Sequence, residues 1–499
     1  MREQWNSKLG FLLAAIGSAV GLGNIWRFPY VAAENGGGAF MIPYFVAILT
    51  AGIPILILEY TIGKTYRGSA PASFGRINPK FEILGWAQVM VAFIITVYYF
   101  AVIVWVVSYI GFAFTSAWGA DPAGFFFNDY LGLTDSPLHL GGIQTNLLIP
   151  FAIVWIITII TMYRGISKGI ELVCKIALPV LLVCMLILVV RGVTLPGAAD
   201  GLDYLFSPDW SALANGKVWV SAYGQIFFSL SIAFAIMIAY SSYLPKKTDV
   251  VNSAFITATA NHGFEVLAGI GVFSILGYMA HQQGVSVAEV SGGGVGLAFI
   301  TFPTAIDALP GMNGFFGICF FIALFTAGIT SFISIIQAVV AGMQDKFGMA
   351  HKKAVTVVLV PAFVLSIFFV TGAGLLILDI VDEFINKVGI TACGLIEIIL
   401  ITWFFRPEEI RKAANEFSNF SIGKWWTYTL KFLTVIILGI SLIITIVGYF
   451  KDGYGGYPVN LLLIFGLGSI IIVIIGAIVL TAIKGKKSFL APVEDKEVE

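Results

Sequence analysis

Residues 9–33 form an apolar segment long enough to cross a bilayer, and Gly21-Leu22-Gly23-Asn24 interrupts it in the middle. Arg27 follows within one helical turn, and Pro29 comes just after. A helix surrounded by hydrocarbon cannot leave backbone N–H and C=O groups bare, because each unsatisfied group costs several kcal/mol. An unwound turn at that depth is tolerated only where it lines a cavity or grips a ligand. Interrupted membrane helices of this kind point to transport sites. The plainer alternative is a kinked helix, since Gly and Pro bends are common in membrane spans.

The rest of the chain reads the same way. Apolar runs recur at 9–33, 39–64, 85–117, 145–163, 167–190, 217–243, 250–279, 313–343, 353–371, 375–405, 428–449 and 459–483. Each is of a length to span about 30 Å of hydrocarbon. With 59% hydrophobic and 11% charged residues, the chain predicts an all-α polytopic membrane protein of about 12 transmembrane helices. The first run is too long and too interrupted for a removed signal peptide. If the N-terminus is cytoplasmic, all of the 28 Lys and Arg residues except Arg27, Arg191, Lys217, Lys387, Lys431 and Lys451 fall on one side. The loops at 118–144, 280–312 and 372–374 hold none. This bias predicts cytoplasmic N- and C-termini and a multi-pass protein of the plasma (inner cell) membrane.

Several functions are excluded. Cys174, Cys184, Cys319 and Cys393 all lie in apolar runs, so no disulfide or metal cluster is expected. Asn419-Phe420-Ser421 matches a glycosylation pattern on the predicted cytoplasmic side and is read as chance. No phosphate-binding loop, zinc motif or basic nucleic-acid patch is present. The few intramembrane ionisable groups form no nucleophile–base arrangement, which argues against an enzyme. A channel would need a continuous polar pore or a selectivity loop, and neither is visible.

Spans 1–5 map onto spans 6–10 as an inverted repeat, because an odd number of spans per repeat reverses orientation. The counterpart of the first break falls near Ser231-Ile232-Ala233 in span 6. Two broken helices facing each other near the midplane offer N–H ends to a carboxylate and carbonyls to cations. The chain then divides into 1–190 (spans 1–5), 191–405 (spans 6–10, with the outer loop 280–312) and 406–499 (spans 11–12 and a cytoplasmic tail).

These residues resemble the neurotransmitter:sodium symporter family, most closely its bacterial amino-acid transporters. The resemblance rests on Arg2-Glu3-Gln4-Trp5, on Gly21 through Pro29, and on Glu34-Asn35-Gly36-Gly37-Gly38-Ala39-Phe40. It continues through Tyr98-Tyr99, Gly224 through Ser231, and Ala327-Gly328-Ile329-Thr330-Ser331. Spans 11 and 12 match only as hydrophobic segments.

The resemblance implies two sodium ions. One would be held by Ala19, Asn24, Ser229, Asn261 and the substrate carboxylate, the other by Gly17, Val20, Ala327, Thr330 and Ser331. Hard cations prefer oxygen ligands, which these residues supply. The substrate carboxylate would meet the Leu22 and Gly23 amides and the Tyr99 hydroxyl. Its amine would meet carbonyls at the breaks, including Ser18 and Ala19, beside Ser229, Ser231 and Ser331. Its side chain would face Ile95, Phe228, Phe234 and Ile335, with Phe227 as packing alone. Monoamine members carry Asp where Gly21 stands, so the substrate should bring its own carboxylate. Where the leucine carrier reads Ser-Leu-Gly, this chain has Ser231-Ile232-Ala233, which puts leucine itself in doubt.

Arg27 and Asp382 resemble an outer gate. Arg2 and Asp345, with Trp5, Ser242 and Tyr243, resemble an inner one. Glu59 is expected to tie the broken first helix to its neighbour. Glu265 lies one helical turn beyond Asn261, where chloride-dependent members carry Ser. Its carboxylate is read as a chloride substitute that takes a proton when the site empties, with a fixed structural partnership to Gln225 as the alternative. The function expected is sodium-driven import of a hydrophobic or aromatic L-amino acid across the lipid bilayer by alternating access. A non-transporting amino-acid sensor on the same fold is the alternative. The sequence sets no oligomeric state.

Overall fold

A computed structural model describes residues 3–491. Among them, ten helices are long and apolar enough to cross a membrane. The first span is a bent pair, α1 (Lys8–Ala19) and α2 (Leu22–Glu34), inclined at 51°. It is followed by α3 (Gly38–Tyr66), α4 (Pro79–Phe112), α5 (Thr145–Tyr163) and α6 (Ile166–Val193). The sixth span is also two pieces, α7 (Gly216–Ser229) and α8 (Ile236–Ser241), parted by the unwound residues 230–235. Then come α9 (Val250–Gln283), α10 (Asn313–Phe347), α11 (His351–Val370), α12 (Gly374–Phe404), α13 (Lys424–Lys451) and α14 (Val459–Ala482). The broken sixth span completes the twelve expected, and the fold is the all-helical one with interrupted first and sixth spans.

Position in the bundle follows composition. The midsections of α4, α9 and α10 are the most enclosed, whereas α13 is 17% and α14 is 28% buried, leaving rows of Ile and Val facing outward. In a bilayer those side chains meet lipid, so their exposure needs no partner. The outer segments are less plain than the sequence suggests, because Ala198–Phe206 and Gly294–Asp307 are helical and cover the outer ends of the spans.

The breaks have different local causes. At the first, α1 ends where Val20 turns extended, and Asn24 caps α2 by accepting from the Gly21 N–H at 2.9 Å. At the second, Ser231, Ala233 and Ala235 all adopt positive φ, at 53°, 68° and 71°. Left-handed backbone disfavours any residue with a Cβ, so this stretch needs support from outside itself. Glu59 on α3 provides it. Its Oε1 accepts from the Ala233 N–H at 2.6 Å, so Glu59 secures the second broken helix and not the first, to which the sequence had assigned it.

Candidate functional site

The two breaks meet. Ser231 Oγ donates to the Ser18 carbonyl at 2.8 Å, joining the unwound part of the sixth span to the end of α1. The Phe228 ring lies against Gly23, where an added Cβ would fall 2.1 Å from a ring carbon. Only glycine allows that approach. A cavity of about 650 Å³ opens from these contacts. Ser18, Ala19, Leu22, Gly23, Ile95, Tyr99, Phe228, Ser231, Phe234, Ser331 and Ile335 all line it. Ser229, the remaining residue of the expected substrate set, instead turns its hydroxyl to Asn261 Nδ2 at 3.2 Å. Phe227, expected to be packing alone, also reaches the cavity wall.

The cavity has a polar end and an apolar end. Tyr99, Leu22 and Ser331 line the polar end together. The first turn of α2 points its N–H groups here, and a helix N-terminus favours an anion. Ile95, Phe228, Phe234 and Ile335 provide the apolar walls. An added Cβ at Gly21 would sit 3.5 Å from Ser331 Oγ and 3.6 Å from the Tyr99 hydroxyl, so the chain leaves room there and no carboxylate fills it.

Behind the cavity wall three acceptors crowd together. The Asn261 amide oxygen lies 3.3 Å from the carbonyl oxygens of both Ala19 and Ser229. No hydrogen bond joins acceptor to acceptor. Turning the amide over would relieve the contact, and so would a hard cation set among the three oxygens, which suits sodium. Asn24 is adjacent, but it donates Nδ2 to Asn261 Oδ1 at 2.8 Å while its own oxygen caps α2. Asn24 therefore becomes an oxygen ligand only if its amide rotates. In the second expected sodium set, Gly17 packs on Thr330, with 3.3 Å from a built Cβ to the Thr330 Cβ. The Thr330 hydroxyl is back-bonded to Thr326 and Ala327 carbonyls at 2.9 and 3.1 Å. Val20 is buried at the end of α1, Ala327 is buried on α10, and Ser331 faces the cavity.

The two residue groups expected to form gates are arranged differently. Arg27 and Asp382 both line the cavity, but no ion pair joins them among the described residues. The Arg27 guanidinium instead lies 4.6 Å above the Phe228 ring, a cation–π contact. Asp382 accepts from Asn386 Nδ2 at 2.7 Å. Asn386 was missed by sequence reasoning, although its i+4 spacing from Asp382 signals the contact. On the inner side, Trp5 Nε1 donates to the Tyr240 carbonyl at 2.9 Å, and its ring packs edge-on against Tyr240 and Tyr243. Asp345 accepts from the Ser69 N–H at 2.6 Å, and Ser242 bonds its own helix at Ala239. Arg2 lies outside the described residues. The cavity thus reaches Arg27 and Asp382, whereas Trp5 and Tyr240 are not part of its lining.

Glu265 is fully buried and accepts from Gln225 Nε2 at 2.8 Å. His262 Nδ1 lies 3.1 Å from its other oxygen and 2.5 Å from the Tyr44 hydroxyl. His262 and Tyr44 were not anticipated; His262 meets Glu265 from one turn earlier on α9, and Tyr44 on α3 meets His262.

A family model for the sodium:neurotransmitter symporter family matches residues 2–121 and 120–485. The chain belongs to this family. It is therefore a sodium-dependent, multi-pass membrane symporter for a small-molecule substrate, and not an enzyme. It is 41% identical over 488 residues to an uncharacterized sodium-dependent transporter of Methanocaldococcus jannaschii, across 98% of this chain and 99% of that one. It is 30% identical over 478 residues to the sodium-dependent dopamine transporter of Caenorhabditis elegans, across 86% of this chain and 77% of the relative. Among solved structures it is similar to MhsT in complex with L-phenylalanine, with 34% identity and a TM-score of 0.76, covering 89% of this chain and all of that one.

Proposed function

We propose that this symporter imports a hydrophobic or aromatic L-amino acid by alternating access, coupled to two sodium ions. The observation that carries this reading is the cavity at the two breaks: a helix N-terminus and Tyr99 at one end, aromatic and aliphatic walls at the other, and no carboxylate at Gly21. A substrate bound there must supply its own carboxylate. The L-phenylalanine complex of MhsT supports the amino-acid class. In this proposal, Ala19, Ser229, Asn261 and, after amide rotation, Asn24 hold one sodium. Gly17, Val20, Ala327, Thr330 and Ser331 hold the second. Arg27 with Asp382 closes the outer path, and Trp5 with Tyr243 and Asp345 closes the inner one. The membrane is the plasma membrane, with both termini cytoplasmic.

Each positive charge crossing 100 mV contributes about 2.3 kcal/mol, so two sodium ions with a zwitterion gain roughly 4.6 kcal/mol, on the order of a thousandfold accumulation. Two cations facing one substrate carboxylate leave one charge unbalanced in a low-dielectric interior. Glu265 supplies the missing negative charge in place of chloride and takes a proton when sodium and substrate leave. The cycle then returns a proton outward and offsets part of the electrical drive.

The test is uptake of labelled L-phenylalanine into proteoliposomes carrying the full chain. An inward sodium gradient should drive accumulation equally in chloride and in gluconate, faster when the exterior is the more alkaline side. Glu265→Ser should make uptake depend on chloride. A wild type that needs chloride, or a Glu265→Ser variant indifferent to it, contradicts the anion assignment. Sodium-dependent binding without net flux would identify a sensor instead.

A further inference from the structure

Span 11 lines the cavity only through Ser441 and Thr445, and the connection between spans 11 and 12 grips the helix that carries Asp382. In the loop after α13, the Tyr454 and Tyr457 hydroxyls donate to the two oxygens of Asp379 at 2.9 and 3.0 Å. One turn along α12, Tyr449 donates to Glu383 at 3.0 Å, and its ring stacks on Phe384 with centroids 4.6 Å apart. Lys387 pairs with the same Glu383 at 2.6 Å. The loop can wrap this closely because Gly453, Gly455 and Gly456 all take positive φ. Asp379, Glu383 and Phe384 thus anchor this part of α12; Asp379 and Glu383 line the cavity, as does Asp382 between them in sequence, and Asp382 does not reach Arg27. Immediately inward, Ile385–Ile390 forms a π turn, a widened stretch at which helices bend.

We propose that the loop 452–457 is a clasp that holds the outer half of α12 back, and that Tyr454 and Tyr457 are positioning residues for the gate carboxylate Asp382. This rests on reading Arg27 and Asp382 as the outer gate. To close, Asp382 must approach Arg27, and α12 must bend at 385–390 and draw away from the clasp. The three tyrosine hydrogen bonds favour the open position. Their loss shifts the population toward the closed, substrate-retaining state, because removing contacts made in only one state favours the other.

The experiment measures dissociation of labelled L-phenylalanine, in sodium, from the purified full chain and its Tyr454→Phe/Tyr457→Phe variant. Dissociation should slow at least about fivefold, as expected for two lost hydrogen bonds, with apparent Kd falling in step. The same pair of substitutions in an Asp382→Asn background should have no effect. Unchanged dissociation in the double variant overturns the proposal. So does equal slowing in the Asp382→Asn background, or a loss of thermal stability with no change in rate. If the double variant does not fold, Tyr457→Phe alone keeps the Tyr454 bond and should slow dissociation about twofold; an unchanged rate there also overturns it. A wild type without sodium-dependent binding would instead strike at the functional reading.

Discussion

The two breaks do similar work by opposite means. The first is held by its own sequence. Gly21 is extended rather than left-handed, Asn24 caps α2 three residues on, and Gly23 leaves room for Phe228. The second has no glycine in 230–235, places three residues with side chains in left-handed backbone, and is held from a different helix by Glu59. One break is local chemistry and the other is tertiary support. Strained backbone of the second kind costs of order 1–3 kcal/mol per residue and persists only where the surroundings impose it.

The sharpest way to break this contrast is Glu59→Ala. It strands the buried Ala233 N–H, so stability should fall by about 1–3 kcal/mol and substrate binding should be lost with it. Thermal unfolding in detergent alongside sodium-dependent binding checks this. A variant with wild-type stability and binding would show that the second break supports itself.

That dependence explains what was legible in advance. Gly21 through Pro29 announces its break in consecutive letters, and Asn24, Ser229 and Asn261 do come together. The place of the second break was found only by mapping one half of the chain on the other. Glu59 was assigned to the wrong helix because its partner is a backbone N–H 174 positions away, which no side-chain pattern encodes. The second sodium set came from family resemblance alone, since Thr330 and Ser331 look like ordinary helix hydroxyls. The separation of Arg27 from Asp382 was not foreseeable either, because their actual partners, the Phe228 ring and Asn386, compete with the ion pair only in the folded packing. The grip of Tyr454 and Tyr457 on Asp379 lay in spans that matched only as hydrophobic segments.

A smaller effect is expected at the first break. Asn24→Ala removes the cap on Gly21 and the link to Asn261, and a lost N-cap costs about 0.5–2 kcal/mol. Sodium affinity, read from substrate binding over a sodium titration, should weaken about tenfold or more, as for a lost partner of a charged group. Unchanged sodium dependence would remove Asn24 from the cation site. The smallest effect belongs to Ala233→Gly. It relieves a left-handed alanine but loosens the unfolded chain, for a net gain of up to about 1 kcal/mol. Thermal unfolding should shift slightly upward; a clear downward shift would mean that Ala233 contributes more through its packing on Gly394 than it costs in backbone.

The central claim is that both breaks build one site shared by sodium and an amino acid. Scintillation binding of labelled L-phenylalanine to the purified full chain, in sodium and then in potassium at equal ionic strength, tests it most directly. The account predicts saturable binding in sodium and none in potassium. Equal affinity in the two salts would contradict it.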